Sequence, residues 1–233
     1  MKIIYRISDT GYNKVKPDYI NNENCLKNAT KVFSQAEWLI IADNVSPPTE
    51  KMILKYQSNI LKVNVGHGAG TFNLALNETL KWDDNEIIYF IENDYLHKPN
   101  SDKVLLEGFE LGSDYVALYD CPDKYIDPKN GGNPYCEGGA EDTRAYLSES
   151  CHWKMTNSTT MTFASKVKTL REDEEILRLF TAGSYPRDFE MFLALRDKGR
   201  TLITPMPGYS THGETAWLSP LTNWNDICNN TNI

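Results

Sequence analysis

Short, nearly continuous apolar runs alternate, over the first 120 residues, with segments whose apolar positions recur every three to four residues. That alternation predicts parallel strands buried on both faces, each followed by a helix lying against the sheet. Four strands are expected, at Lys2 to Ile7, Trp38 to Asp43, Ile60 to Val65 and Glu86 to Glu92. Between them, Cys25, Leu26, Ala29, Val32 and Phe33 fall on one helical face, and Ser46-Pro47 supplies a cap and first-turn proline ahead of Met52, Ile53 and Tyr56. A third helix is expected from about Gly70 to Trp82, and a fourth, starting at Asn100 or Ser101, carries Val104, Leu105, Phe109 and Leu111 into a strand over Tyr115 to Tyr119.

The pattern then changes. From Asp120 to Ser150 the chain is rich in Gly, Pro, Asn and Asp and has no periodicity, as in Asn130-Gly131-Gly132-Asn133-Pro134. A connection this long in a compact protein is functional or mobile. A strand is expected over Thr156 to Ala164, helices over Lys168 to Phe180 and Pro186 to Lys198, and a last strand over Thr201 to Thr204 before a polar, irregular tail. The expected fold is a single α/β domain across residues 1–233, with a mostly parallel, Rossmann-like central sheet and helices on both faces.

Composition narrows the function. With 40% hydrophobic and 24% charged residues, the 233-residue chain can build a sizeable core. Its 24 Lys and Arg against 32 Asp and Glu leave a net charge of −8, which argues against a surface made for nucleic acid or anionic lipid. The apolar runs fall far below the roughly 18 residues of a membrane span, and no secretory signal is evident, so a cytoplasmic protein is expected. Five cysteines without a C-x-x-C pair read as reduced thiols. The Asn-x-Ser/Thr tripeptides at Asn28, Asn44, Asn77, Asn157 and Asn229 then read as plain surface asparagines.

Ligands of a doubly wound sheet bind beyond the carboxyl ends of its strands, so the polar residues there come first. They are Arg6-Ile7-Ser8-Asp9, Asp43-Asn44, Glu92-Asn93-Asp94 and Asp120. Such a rim suits a divalent cation, or hydrogen bonds to a ribose and base; alternatively these residues only open turns. Glu92 and Asp94, two apart on an extended chain, point the same way and could bind Mg²⁺ or Mn²⁺ while leaving room for water and diphosphate oxygens. Gly66-His67-Gly68-Ala69-Gly70-Thr71 partly matches a dinucleotide-binding turn, though on the third strand; the other reading is a flexible turn whose helix presents Thr71 and Asn73 to a nucleotide. Asp188 in Arg187-Asp188-Phe189-Glu190 is either a capping carboxylate or a general base. His212, in Ser210-Thr211-His212-Gly213-Glu214, is either a Mn²⁺ ligand or an exposed loop histidine. Trp153 either stacks on a sugar or packs in the core, and Trp217, Leu218, Pro220, Leu221 and Trp224 are expected to pin the tail to the body.

Together these residues, with the stretch His152 to Thr160, resemble GT-A glycosyltransferases, in particular the compact virus- and phage-type enzymes and the family-2-like inverting transferases. Glu92-Asn93-Asp94 stands where that family has D-x-D, and Arg187-Asp188 where it has a Glu-Asp pair. The resemblance implies a nucleotide-binding half over residues 1–120 and an acceptor-binding half over 121–233, with a flexible loop at 121–150. It implies Mn²⁺ or Mg²⁺ as cofactor with Asp94 as chief ligand, His212 as a metal or diphosphate contact, and Asp188 as catalytic base. Arg6, Ser8, Asp9, Asp43, Asn73, Glu92, Asn93 and Asp94 would face the nucleotide sugar, and Trp153 and Arg187 the acceptor. The expected activity is inverting transfer from a UDP-sugar to a glycan hydroxyl. Three rivals stand beside it: an NAD(P)-dependent oxidoreductase using Gly66 to Gly70, a non-catalytic glycan-binding module, and a nucleotidyltransferase, for which no Gly-rich, basic loop is recognised after the first strand.

Overall fold

The computed structural model describes residues 1–11 and 13–231. Its strands are β1 (Lys2–Ser8), β2 (Glu37–Asp43), β3 (Ile60–Val63), β4 (Ile87–Glu92), β5 (Tyr95–His97), β6 (Tyr115–Val116), β7 (Ala145–Leu147), β8 (His152–Met155), β9 (Phe163–Lys166), β10 (Leu202–Met206) and β11 (Ser210–His212). Its α-helices are α1 (Asn22–Val32), α2 (Pro47–Leu54), α3 (Gly68–Thr79), α4 (Ser101–Glu110), α5 (Val167–Glu172), α6 (Glu174–Phe180), α7 (Asp188–Asp197) and α8 (Trp224–Thr231).

Nine strands form one sheet in the order β3-β2-β1-β4-β9-β6-β10-β8-β7. Only β9 and β8 run against the others, so the sheet is mixed and largely parallel, as expected. Successive side chains of β1 and β4 enter opposite cores: Tyr5, Tyr89 and Ile91 join α1, α2 and α4 on one face, while Ile4, Ile88 and Phe90 join α3, α5, α6 and α7 on the other. Two covered faces explain why these strands read as continuous apolar runs. No described helix is long and apolar enough to cross a membrane.

The second half departs from expectation. Residues 156–162 are not strand: β8 ends at Met155 and β9 starts at Phe163. Side chains take the place of a strand partner instead, Thr160 Oγ1 accepting from the Thr162 amide (3.4 Å) and the Glu141 carboxylate accepting from the Asn157 amide (2.8 Å). The helix expected over 168–180 breaks at Asp173, whose buried carboxylate accepts from the Tyr115 hydroxyl (2.7 Å), Lys198 (2.6 Å) and Arg200 (2.8 Å). The tail is ordered too, forming β11 and α8; the latter packs Trp224 and Cys228 against Cys25 and Leu96. Asn28 is fully buried, not a surface asparagine, and its amide group pairs with both backbone groups of His97 (2.7 and 3.0 Å).

The segment after Asp120 forms three short 3-10 turns and β7. It is tied to the sheet by buried Lys154, which meets Asp120 (3.1 Å), Glu141 (3.3 Å) and the Tyr125 hydroxyl (3.1 Å). Asn133 adds a second tie, exchanging hydrogen bonds with Asn157 (2.9 and 3.1 Å).

Candidate active site

The parallel register of β2, β1 and β4 places Ser8 beside Asp43 and Arg6 beside Glu92, so their polar ends share one rim. There a cavity of about 630 Å³ is lined by Arg6, Ser8, Asp9, Asp43, Glu92, Asn93 and Asp94, together with Lys14, Lys16 and His67. Eight of the twelve residues expected in the site belong to the rim or, for His212, to the two-stranded β5–β11 ribbon beside it, and several also build its frame. Asp43 accepts from the amides of Val65 (2.7 Å) and Gly66 (2.9 Å), clamping the turn after β3. Asp9 accepts from the Ser46 amide and the Thr49 hydroxyl, both at 2.6 Å; it, not the Ser46 side chain, caps α2. Ser8 closes a turn through Thr10, and Asn93 donates to the Ser8 carbonyl (3.2 Å) and Asn22 (2.6 Å).

Arg6, buried, donates to the carbonyls of Gly68 (3.1 Å) and Met161 (3.0 Å) and pairs with Glu92 (3.3 Å). The glycine-rich turn is explained by packing: a Cβ on Gly70 would lie 2.3 Å from Val65 Cγ1 and 2.7 Å from His67 Cε1. The His67 ring itself caps α3, accepting from the Gly70 amide (3.0 Å).

Asp94 is buried where the small β5–β11 ribbon brings the tail back. Tyr95 pairs with His212, so the His212 Nε2 comes to 3.4 Å from the Asp94 carboxylate. The close approach needs Gly213, where a Cβ would lie 2.7 Å from the Asp94 carbonyl oxygen. Lys16 (2.9 Å) and Lys14 (3.5 Å) pair with the same Asp94 oxygen, and Lys14 Nζ lies 2.8 Å from His212 Nε2. Burial opposes ionisation of Asp94, but His212 and the two lysines outweigh it and hold the carboxyl well below the ordinary range. His212 is thus a buried strand residue packed on Tyr95, not an exposed loop histidine.

Among the described residues no three His, Cys, Asp or Glu side chains form a metal-binding group. Asp94 and His212 nevertheless bring a carboxylate oxygen and a ring nitrogen within 3.4 Å of each other, both beside the Lys14 ammonium. Two protein donors are enough for a divalent ion that takes its other ligands from water and phosphate, provided that Lys14 and Lys16 give way at the Asp94 oxygen they now share.

Asp188 opens α7 and is half-buried, with Oδ1 accepting from the Phe189 amide (2.9 Å). Burial first, and then the charge of Glu92, push its carboxyl up to about 6. It lines a second cavity, of about 470 Å³, which shares Glu92 and Lys14 with the first. Arg6 and Thr162 hold Glu92 at this junction, the latter accepting from the Glu92 amide (3.1 Å).

Three expected site residues lie elsewhere. Trp153 is fully buried in β8, its ring nitrogen donating to Ser148 (2.9 Å), and has no face for a sugar. Arg187 stacks on Phe180 (4.9 Å) and lines neither cavity. Asn73 joins α3 to the end of α6 through the Thr181 carbonyl (2.9 Å) and also lines neither. Conversely, Lys14 and Lys16 were not anticipated. The available signal was Gly11, Lys14 and Lys16 directly after the first strand, the basic loop not recognised there.

No protein-family model matches the sequence, and no curated protein matches it. Solved structures do. CMP:2-keto-3-deoxy-manno-octonic acid synthetase complexed with CTP aligns over 92% of this chain and 93% of its own, with 14% identity and a TM-score of 0.51. A197 from STIV aligns over 94% and 91%, with 14% identity and a TM-score of 0.48. The bifunctional IspDF from Campylobacter jejuni aligns over 87% of this chain and 48% of its own, with 15% identity and a TM-score of 0.45. The first likeness is one of fold: this chain shares the α/β architecture of that synthetase.

Proposed function

We propose that this chain is a cytoplasmic glycosyltransferase that moves a sugar from a nucleoside diphosphate sugar, a UDP-sugar, to a glycan hydroxyl with inversion. The observation that carries the reading is the junction of the two cavities, where Asp188 and Glu92 meet the Lys14–Asp94–His212 cluster. A base with a raised carboxyl on one side and concentrated positive charge on the other is what displacement of a diphosphate by a hydroxyl needs.

In this reading residues 1–120 hold the donor, with Arg6, Lys14 and Lys16 drawing the diphosphate to the rim and Ser8 and Asp43 near ribose and base. Asp188 takes the proton of the acceptor hydroxyl. The hydroxyl oxygen bonds to the anomeric carbon from the face opposite the diphosphate; the carbon–oxygen bond to phosphate breaks, and its electron pair leaves with the diphosphate. Residues 121–233 supply the acceptor side, and Tyr119, Thr160 and Met161 wall the junction. Mn²⁺ or Mg²⁺ would be held by Asp94 and His212 and, when bound, neutralises charge on the leaving diphosphate.

A second reading, nucleotidyl transfer, is favoured by two observations. The segment after β1 carries Lys14 and Lys16 over the cavity, and the fold is shared with a synthetase described as complexed with CTP. Incubation with Mn²⁺ separates the two. Release of UDP from a UDP-sugar with formation of a glycoside supports the glycosyltransferase. Release of pyrophosphate from a nucleoside triphosphate and a sugar, with no turnover of nucleotide sugars, overturns it in favour of the second.

A further inference from the structure

The cavity beyond Asp188 has a chemical character of its own. Trp217, Tyr185 and Phe189 contribute aromatic surface, and Asp123, Glu214, Glu92 and Asp188 contribute carboxylates. Its positive charge comes from Lys14, with His212 beside it, and both already face Asp94. The neighbouring cavity differs in degree: there Arg6, Lys14 and Lys16 nearly balance Asp9, Asp43, Glu92 and Asp94, whereas here four carboxylates face Lys14.

The aromatic wall is held in place. The Trp217 carbonyl accepts from the Tyr119 hydroxyl (2.6 Å) and its amide donates to the Glu214 carbonyl (2.9 Å), so the ring stands on a fixed turn. Phe189 packs against Tyr135 (6.1 Å) at the start of α7. On the opposite side, Asp123 is anchored through Oδ2 by Lys124 and Asn133, both at 3.2 Å, and its side chain, 22% exposed, lines the cavity, while its enclosed Oδ1 has no hydrogen-bond partner.

We infer that this cavity is the subsite for an uncharged carbohydrate, with Trp217 as its stacking platform and Asp123 and Glu214 as acceptors for its hydroxyls. A pyranose has an apolar face of C–H groups and a rim of hydroxyl donors. An aromatic ring meets the first, and ionised carboxylates take the second in charge-assisted hydrogen bonds. The same carboxylates discriminate. A uronic acid, or a phosphorylated or sialylated sugar, would bring an anion against four negative groups at short range, where the partly desolvated wall screens poorly. The specificity for a neutral acceptor is therefore electrostatic as well as steric. The word acceptor rests on the transferase reading; carbohydrate binding here does not, and it is measured without turnover.

The test is titration of the full chain, with and without UDP and Mn²⁺, by neutral di- to tetrasaccharides of glucose, galactose, mannose and N-acetylglucosamine, and by matching oligosaccharides that contain a uronic acid. Tryptophan fluorescence and calorimetry supply the readouts. We expect saturable binding by at least one neutral series and binding at least roughly tenfold weaker by its uronic counterpart. Trp217→Ala should weaken the neutral sugar by roughly tenfold or more, Trp217→Phe should restore part of it, and UDP affinity should stay within about twofold, showing that the fold and the donor cavity are intact. Glu214→Gln and Asp123→Asn should narrow the preference against the uronic sugar. The inference is overturned if uronic oligosaccharides bind as well as neutral ones, if no neutral series binds, or if Trp217→Ala binds sugar like the parent. Sugar binding without turnover of any nucleotide sugar would instead remove the transferase reading and leave the subsite.

Discussion

Asp188 is ionised at neutral pH against the pull of its surroundings. Burial and the Glu92 charge raise its carboxyl from 3.8 to about 6. An acid raised on folding takes up a proton between its two values, so its contribution to stability falls as pH rises from about 4 to about 6 and stays unfavourable above. Asp188→Asn is neutral throughout. We expect it to melt above the parent at about pH 7.5, by up to about 3 kcal/mol, while turnover falls roughly 10²–10⁴-fold. Calorimetric melting beside a rate assay checks both, and a less stable variant would contradict the account. The same ionisation sets the pH profile: kcat/KM should rise through about pH 6 and level off, because the base must be unprotonated. Glu92→Gln removes the second cause of the shift and should move that limb to lower pH.

Among the elements, the β5–β11 ribbon decides whether the donor side exists. It sets His212 against Asp94, and Gly213 permits the approach, since a Cβ there would lie 2.4 Å from Ile20 Cγ2. Gly213→Val should push the strands apart, weakening Mn²⁺-dependent UDP binding by roughly tenfold or more, with a stability loss of about 1–3 kcal/mol from overpacking. Gly183→Val, at a position with nothing within 4 Å of the added carbon, is the control and should bind UDP normally. Calorimetric titration of both variants reads the difference. The ribbon is also fastened from behind by Asn28, whose amide pairs with the His97 backbone. Asn28→Ala leaves those groups buried and unpaired, and should lower stability by about 1–3 kcal/mol in urea unfolding.

For the whole molecule, the connection from Asp120 to Ser150 is joined to the sheet by charge. Lys154 is nearly inaccessible between Asp120 and Glu141, and the Tyr125 ring lies 4.3 Å from its ammonium. Removing one member strands the others: Lys154→Met should cost about 3–5 kcal/mol at neutral pH. The deficit should narrow as pH falls, because Asp120, whose carboxyl burial already raises, can then take up a proton and shed uncompensated charge. Unfolding measured across pH checks the sign; a deficit that grows in acid would exclude this network as the tie. The segment also forms the Asp123, Gly131, Gly132, Asn133 and Pro134 wall of the second cavity, so proteolysis within it should rise in the same variant.

The sequence by itself determined the parallel half of the sheet, because strands covered on both faces must be apolar throughout and their helices apolar on one side. It also located the rim residues Ser8, Asp43, Glu92 and Asp94, since in parallel strands every carboxyl end lies on one side, and it singled out Asp188 by its place in a first helical turn. What it left open depended on contacts between distant segments. Trp153 and a sugar-stacking tryptophan look alike until packing shows that one is enclosed. Thr156 to Thr162 have the composition of a strand, but their hydroxyls and amides bond to side chains such as Glu141 and Asn133 that the sequence does not place beside them. His212 reads as a loop residue because three-residue strands carry too few positions to show a period. Gly11, Lys14 and Lys16 form a basic segment after β1, but two lysines do not show where they point; only the folded chain brings them to Asp94, where burial makes the pairing of opposite charges strong enough to shape the site.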